Sequence, residues 1–121
     1  MRVVWGCVCA SDLWYYRGVN DPVGSIGHEF IGVVGAVGAG VTNLAPGDFV
    51  IAPFTYSDST WPACQHGFQA NRTHGGAFGN GTIDGGQGEI VRVPSAAATL
   101  VKVPGSDFTD EQLRSLVHSP V

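Results

Sequence analysis

"SIGHEFIGVVGAVGAGV", residues 25–41, sets His28 and Glu29 side by side between Gly27 and an apolar run studded with glycine. The Val and Ile content from Phe30 onward predicts a strand over residues 30–37, and its glycines permit another backbone or a bend to come close. The polar pair therefore stands at the entrance of a strand, on the rim of a β-core. An imidazole and a carboxylate are groups suited to metal ligation and to proton transfer near neutral pH. The competing reading is a turn that merely contains polar residues.

Upstream, "RVVWGCVC" at 2–9 reads as a buried strand of branched and aromatic residues. "SDLWYYRG" at 11–18 reads as one short helical turn, with Ser11 as N-cap, Asp12 in the first turn and Gly18 at the stop. Downstream, "APGD" at 45–48 is a turn and "FVIAPF" at 49–54 a strand. Residues 55–88 dissolve into Ser, Asn, Gly and Pro, a long irregular lobe. Strands return at "EIVRVP", 89–94, and "TLVKVP", 99–104. "TDEQLRSLVH", 109–118, spaces Thr109 and Gln112 as a capping box ahead of Leu113 and Leu116, which predicts a C-terminal helix. Trp5, Trp14, Tyr15 and Tyr16 are expected in the core or a pocket wall, with Trp14 as a substrate-pocket aromatic.

The predicted architecture is mainly β, a partly open barrel with short helical turns and one long lobe, in a single domain over residues 1–121. Domains cluster near about 100–150 residues, and 44% apolar against 13% charged residues supports a core rather than disorder. A net charge of −4 with only 6 scattered basic residues counts against nucleic acid and anionic membrane surfaces as partners. No apolar stretch approaches the roughly 20 residues of a membrane span, and "MRVVWGCVCASD" is too glycine-interrupted for a signal peptide. Three cysteines cannot all pair, which points to a reducing compartment, the cytoplasm. The sequons at Asn71 and Asn80 are then chance matches. Gly32, Gly35, Gly38 and Gly40 have the wrong order for a dinucleotide fingerprint and no helix after them.

Cys9 extends the pair into a candidate metal set. Zinc takes thiolate and imidazole ligands, and catalytic zinc sites keep one position open. Cys9 ends one predicted strand and His28 begins another, so pairing of those strands would bring them together. The bland alternative is a buried small hydrophobe at Cys9 and a hydrogen-bonded turn histidine at His28. Cys7 reads as core packing, His66 and His74 as loop surface, and His118 as a solvated end residue. His74-Gly75-Gly76 has the look of an esterase oxyanion loop, but no G-x-S-x-G accompanies it.

Taken together, "CVCASDLWYYRG", "IGHEFIGVVGAVGAGVTNLAPGDFV" and "DGGQGEIVRVPSAAATLVKVP" resemble the catalytic, GroES-like domain of zinc-dependent medium-chain alcohol dehydrogenases, from about Arg2 to Leu116. The resemblance implies that Cys9 and His28 are catalytic-zinc ligands and that Glu29 can approach or ligate the metal. It implies that the Ser11 hydroxyl binds the substrate alcohol and passes its proton outward, and that Asp12 orients the ligand histidine. Zinc would activate a small-molecule alcohol or carbonyl while NAD(P) exchanges hydride. Ala10 stands where many relatives have glycine.

Three departures set further expectations. The family's third protein ligand lies beyond "VHSPV", so Glu29, His118 or a partner chain is expected to complete the site. The nucleotide-binding Rossmann domain is missing, so this chain alone is not expected to hold NAD(P). The family's initial strands are missing as well, which predicts an open sheet edge and self-association. In the lobe, Cys64 is the one cysteine left where relatives carry four, with Trp61 and Arg72 in cysteine places. A structural zinc is therefore expected to be lost, so that the lobe either orders by packing of Phe54, Trp61 and Phe68 or stays loose. Two other functions fit the same residues: a nucleotide-independent zinc hydrolase of esters or lactones, and a non-catalytic GroES-like assembly module.

Overall fold

The computed structural model describes residues 1–21, 24–66, 74–80, 83–105 and 107–118. Along the chain run β1 (Arg2–Gly6), a 3-10 turn (Ala10–Asp12), α1 (Leu13–Tyr16), β2 (Phe30–Val33), β3 (Phe49–Ala52), β4 (Thr55–Ser57), α2 (Pro62–Gln65), β5 (Gly75–Ala77), α3 (Ala96–Thr99), β6 (Val101–Lys102) and α4 (Asp110–Val117). An antiparallel sheet in the order β1-β2-β3-β6 carries the molecule, and β4 pairs with β5 in a second sheet. Among the described residues the larger sheet does not close on itself, so the mainly β fold is an open one. Among the described residues, no helix is long and apolar enough to cross a membrane.

The register explains why β2 reads as continuously apolar. Gly6 pairs with Phe30 and Trp5 with Ile31 on one side, while Phe30 pairs with Ala52 and Gly32 with Val50 on the other. One face of the sheet packs Phe30, Val50 and Ala52 with Leu44, Phe78, Val91 and Leu100. The other packs Ile31 and Phe49 under Leu113 and Val117 of α4. Both faces are covered, so Phe30, Ile31 and Gly32 of β2 are all buried and Val33 is half-buried. The glycine at 32 is required by close approach, because a Cβ there would strike the Arg2 carbonyl oxygen.

Most strands are shorter than their composition predicts, each for a local reason. The run 2–9 leaves the sheet after Gly6, apart from one more ladder bond from the Cys7 N–H to the Glu29 carbonyl, 2.9 Å. Asp12 then turns the chain: its Oδ2 accepts from the Cys9 N–H at 2.9 Å, and its own N–H donates to the Cys9 carbonyl at 3.1 Å. The residue at the turn's N-cap position is thus Cys9 and not Ser11. Residues 89–94 are held to the chain start by bonds between Val3 and Glu89 and between Met1 and Val91, with a single bridge at Ile90. The predicted strand at 99–104 begins late because Ala96–Thr99 coils into α3, as its alanines favour. Asp48 Oδ1 lies 2.7 Å from Lys102 Nζ at the β3–β6 edge, while its Oδ2 accepts from the Ala45 N–H at 2.9 Å.

Those bonds, the Lys102 one foremost, hold the Asp48 carboxyl below the ordinary carboxylate value. A depressed folded-state value contributes stability that is present above the unfolded value, about 3.9 for Asp, and lost as pH falls through the folded one. Lys102→Ala is expected to move the Asp48 titration upward toward the ordinary value, as read by NMR, and to flatten this acid-side loss.

The lobe at 55–88 is more regular than its composition predicts. β4 and β5 pair through Tyr56 and Gly76, and Phe78 meets Phe30 edge-on at 5.1 Å. Its order comes from Tyr56, Phe78 and the buried Ser57–Cys64 contact, 3.3 Å between Oγ and Sγ. Trp61 and Phe54 are both exposed, contrary to their expected packing role. Phe68 and Arg72 lie outside the described residues. The C-terminal helix forms as predicted: Thr109 Oγ1 accepts from the Gln112 N–H at 3.3 Å, and Gln112 Oε1 accepts from the Thr109 N–H at 2.9 Å. Thr109→Ala is expected to lower stability by about 1 kcal/mol, seen as a lower urea midpoint at unchanged slope.

Candidate metal centre

Because Gly6 pairs with Phe30, the residues following β1 lie opposite those preceding β2. This places Cys9 against His28 and Glu29, and one ligand atom from each lies within 4.8 Å of the others. His28 is 9% exposed, and Cys9 and Glu29 are half-buried. They open onto a cleft of about 430 Å³ whose wall includes Ser11, Ile31, Ile51, Phe54 and Val117. A thiol, an imidazole and a carboxylate on the wall of a small apolar cleft form a donor set that suits zinc. The fit is one of chemistry as well as position.

The surroundings restrict the imidazole. Asp12, 3% exposed, brings Oδ1 to 3.5 Å from His28 Nδ1. The Phe54 ring meets the His28 ring nearly at right angles, with centroids 4.6 Å apart. The Ser11 hydroxyl donates to Cys9 Sγ at 3.3 Å and lines the cleft. Gln87 Nε2 donates to Asp12 Oδ2 at 3.1 Å. The pattern of residue types pointed to neither Phe54 nor Gln87. The only available signal was their setting, an aromatic just past β3 and the glutamine of "GGQG".

Other sequence candidates fall elsewhere. Trp14 is 54% exposed and Tyr16 88%, and neither lines the cleft, so the expected pocket aromatic at Trp14 is corrected to Phe54. A helix of a single turn cannot bury three successive aromatics on one face. Cys7 packs beside the Ile31–Phe49 cluster as expected. His118, expected to be solvated, is exposed but has its Nδ1 3.3 Å from Cys7 Sγ, apart from the Cys9–His28–Glu29 group. His66 is exposed, and His74 is exposed beside Asp58 at 3.3 Å. A larger cavity of about 920 Å³, lined by Val37, Leu44 and Val93 among others, holds none of the candidate metal ligands.

Comparison with known proteins places the chain in a family. The alcohol dehydrogenase GroES-like domain family matches residues 1–105. The chain is 44% identical over 100 residues to the medium chain reductase/dehydrogenase ucsI of an Acremonium species, covering 80% of this chain and 34% of that protein. It is 37% identical over 107 residues to zinc-type alcohol dehydrogenase B of Aspergillus flavus, covering 86% of this chain and 25% of that one. Among solved structures, alcohol dehydrogenase TADH from Thermus sp. ATN1 superposes with a TM-score of 0.78 at 41% identity, covering 86% of this chain and 32% of that one. The chain thus spans between a quarter and about a third of the length of these relatives.

Proposed function

This chain belongs to the alcohol dehydrogenase GroES-like domain family, and from that premise we propose that it is the zinc-binding catalytic domain of an alcohol dehydrogenase-like oxidoreductase. The observation that carries the reading is the convergence of Cys9, His28 and Glu29 within 4.8 Å on the wall of a cleft. Cys9 and His28 would hold the metal, with Glu29 as its third, closely placed donor. With Nδ1 beside Asp12, Nε2 is the His28 nitrogen left for a ligand role. Zinc, when bound, lowers the pKa of an alcohol and polarises a carbonyl.

The chain's own residues do the rest. Ile31, Ile51, Phe54 and Val117 make the cleft apolar, which excludes water and suits the carbon skeleton of a small alcohol or carbonyl. Ser11 stands in the cleft next to Cys9, where its hydroxyl can take the proton of a substrate alcohol and pass it toward solvent. NAD(P), held by a nucleotide-binding domain outside these residues, would exchange the hydride with the substrate. Exposed apolar side chains at Val8, Tyr16 and Ile90 support self-association, and three free thiols support a reducing, cytoplasmic location.

The test is zinc content per chain after purification, before and after exhaustive chelation, with nicotinamide-nucleotide binding measured on the same sample. About one zinc per chain, lost on chelation, is expected. A chain that hydrolyses esters or lactones with zinc and no nucleotide would overturn the oxidoreductase reading. A metal-free, inert oligomer would favour an assembly module.

A further inference from the structure

The best-enclosed carboxylate of the site is Asp12, and a residue far from it in sequence determines how it points. One oxygen of Asp12 faces the His28 ring, at 3.5 Å from Nδ1. The other accepts two hydrogen bonds, from the Cys9 N–H at 2.9 Å and from Gln87 Nε2 at 3.1 Å. Asp12 therefore touches both residues read as zinc ligands, and Gln87 is the side chain that holds it from behind. A carboxylate rotates easily about its last bond, and a single backbone donor leaves that rotation loosely determined. The amide supplies a second donor to the same oxygen. In the flipped orientation its oxygen would face an acceptor-only carboxylate, so one orientation alone is productive.

The fold goes to some length to bring that amide there. Residues 85–87 lie along residues 25–27 through three backbone bonds: Gly85 N–H to Ser25 O at 2.8 Å, Gly86 N–H to Gly27 O at 2.8 Å, and Gln87 N–H to Ile26 O at 3.0 Å. A Cβ on Gly85 would strike the Ile26 carbonyl, and one on Gly86 the Phe30 ring. Gly27 has φ +94°, and a Cβ there would lie 2.6 Å from Gln87 Cγ. The glycine just before His28 is thus the seat of the Gln87 side chain. Gln87 is itself exposed as a residue, with its amide reaching inward to a carboxylate that is 3% exposed.

We propose that Gln87 is a positioning residue of the metal centre, setting the Asp12 carboxylate so that it orients His28 and the Cys9 backbone together. This rests on the zinc reading of Cys9 and His28. Outer hydrogen-bond partners of metal ligands typically carry about 10–100-fold in affinity. Gln87→Met keeps length and removes the donor; it is expected to weaken zinc binding about tenfold, at the lower end of that range, and to alter the visible spectrum of the cobalt-substituted chain. Gln87→Glu keeps the shape but sets a carboxylate against Asp12, and a larger loss is expected. In an Asp12→Ala background, Gln87→Met should change zinc affinity no further, because its effect runs through Asp12. In the metal-free chain, Gln87→Met should speed hydrogen exchange at the Cys9 amide.

Zinc affinity is measured by chelator competition, with circular dichroism to confirm that each variant folds. Metal binding by the wild type with an indifferent Gln87→Met, in zinc affinity and cobalt spectrum alike, overturns the positioning role alone. So does an equal loss in the Asp12→Ala background, which would mean that Gln87 acts by packing. If Asp12→Ala does not fold, unchanged Cys9 amide exchange in Gln87→Met overturns it. A wild-type chain that takes up neither zinc nor cobalt overturns the metal-centre reading and this inference with it.

Discussion

Cys9→Ser and His28→Ala are each expected to strip the chain of zinc, lowering affinity by more than the roughly 100-fold upper range that outer hydrogen-bond partners carry. The reason is the size of the donor set. Cys9, His28 and Glu29 form the one such group among the described residues, so removing one leaves two ligand atoms where zinc prefers four. Ser at position 9 offers a hard, protonated oxygen in place of a thiolate, and Ala at 28 removes the imidazole that Asp12 orients. Glu29→Gln should weaken binding less, since the amide oxygen left at that position can still act as a donor. Zinc per chain by mass spectrometry, with circular dichroism to show that the variants fold, checks this. Unchanged zinc content in Cys9→Ser would remove the site from these residues.

Gly86→Ala is expected to destabilise the fold by about 3 kcal/mol, at the upper end of what overpacking a core costs. Its Cβ would press into the Phe30 ring, which is 1% exposed and sits between Ala52 and Gly6 with no room to withdraw. For a domain of this size that corresponds to a fall in Tm of roughly 10–15 °C. Gly38→Ala is the contrast. Nothing lies within 4 Å of its Cβ, and its φ is not in the left-handed region. There the substitution should be neutral or stabilising by up to about 1 kcal/mol, through a less flexible unfolded chain. Thermal melts of the two variants side by side test both statements, and equal melting temperatures would contradict the packing seen at Gly86.

The features that the amino-acid sequence makes legible are those whose cause is local. The capping box at Thr109 and Gln112 depends on residues three apart, and it formed as predicted. β2, β3 and the Cys9–His28–Glu29 grouping followed from apolar runs and from two segments that could pair. Strand ends were less legible. The run 2–9 looks uniform, yet Asp12 draws Cys9 out of the sheet by a side-chain bond that no apolar pattern reveals. Alanines at 96–98 form a helical turn that takes in Thr99, the first residue of the predicted strand at 99–104. The lobe looks irregular in sequence because its strands are three residues each and rich in glycine and serine.

The residue types along the chain determined, without any structure, a mainly β domain with a thiol, an imidazole and a carboxylate at strand ends. Periodicity and turn chemistry act over a few residues, so they are present in the order of the letters. Only the tertiary structure decided which glycines matter and what stands behind the candidate metal centre. Gly32 and Gly86 press on other chain segments while Gly38 faces open space, and composition cannot separate them. Gln87 lies 75 positions from Asp12, and their 3.1 Å bond exists because three backbone bonds hold residues 85–87 against 25–27. A contact at that separation depends on how distant segments are brought together in space, which the order of residue types does not state.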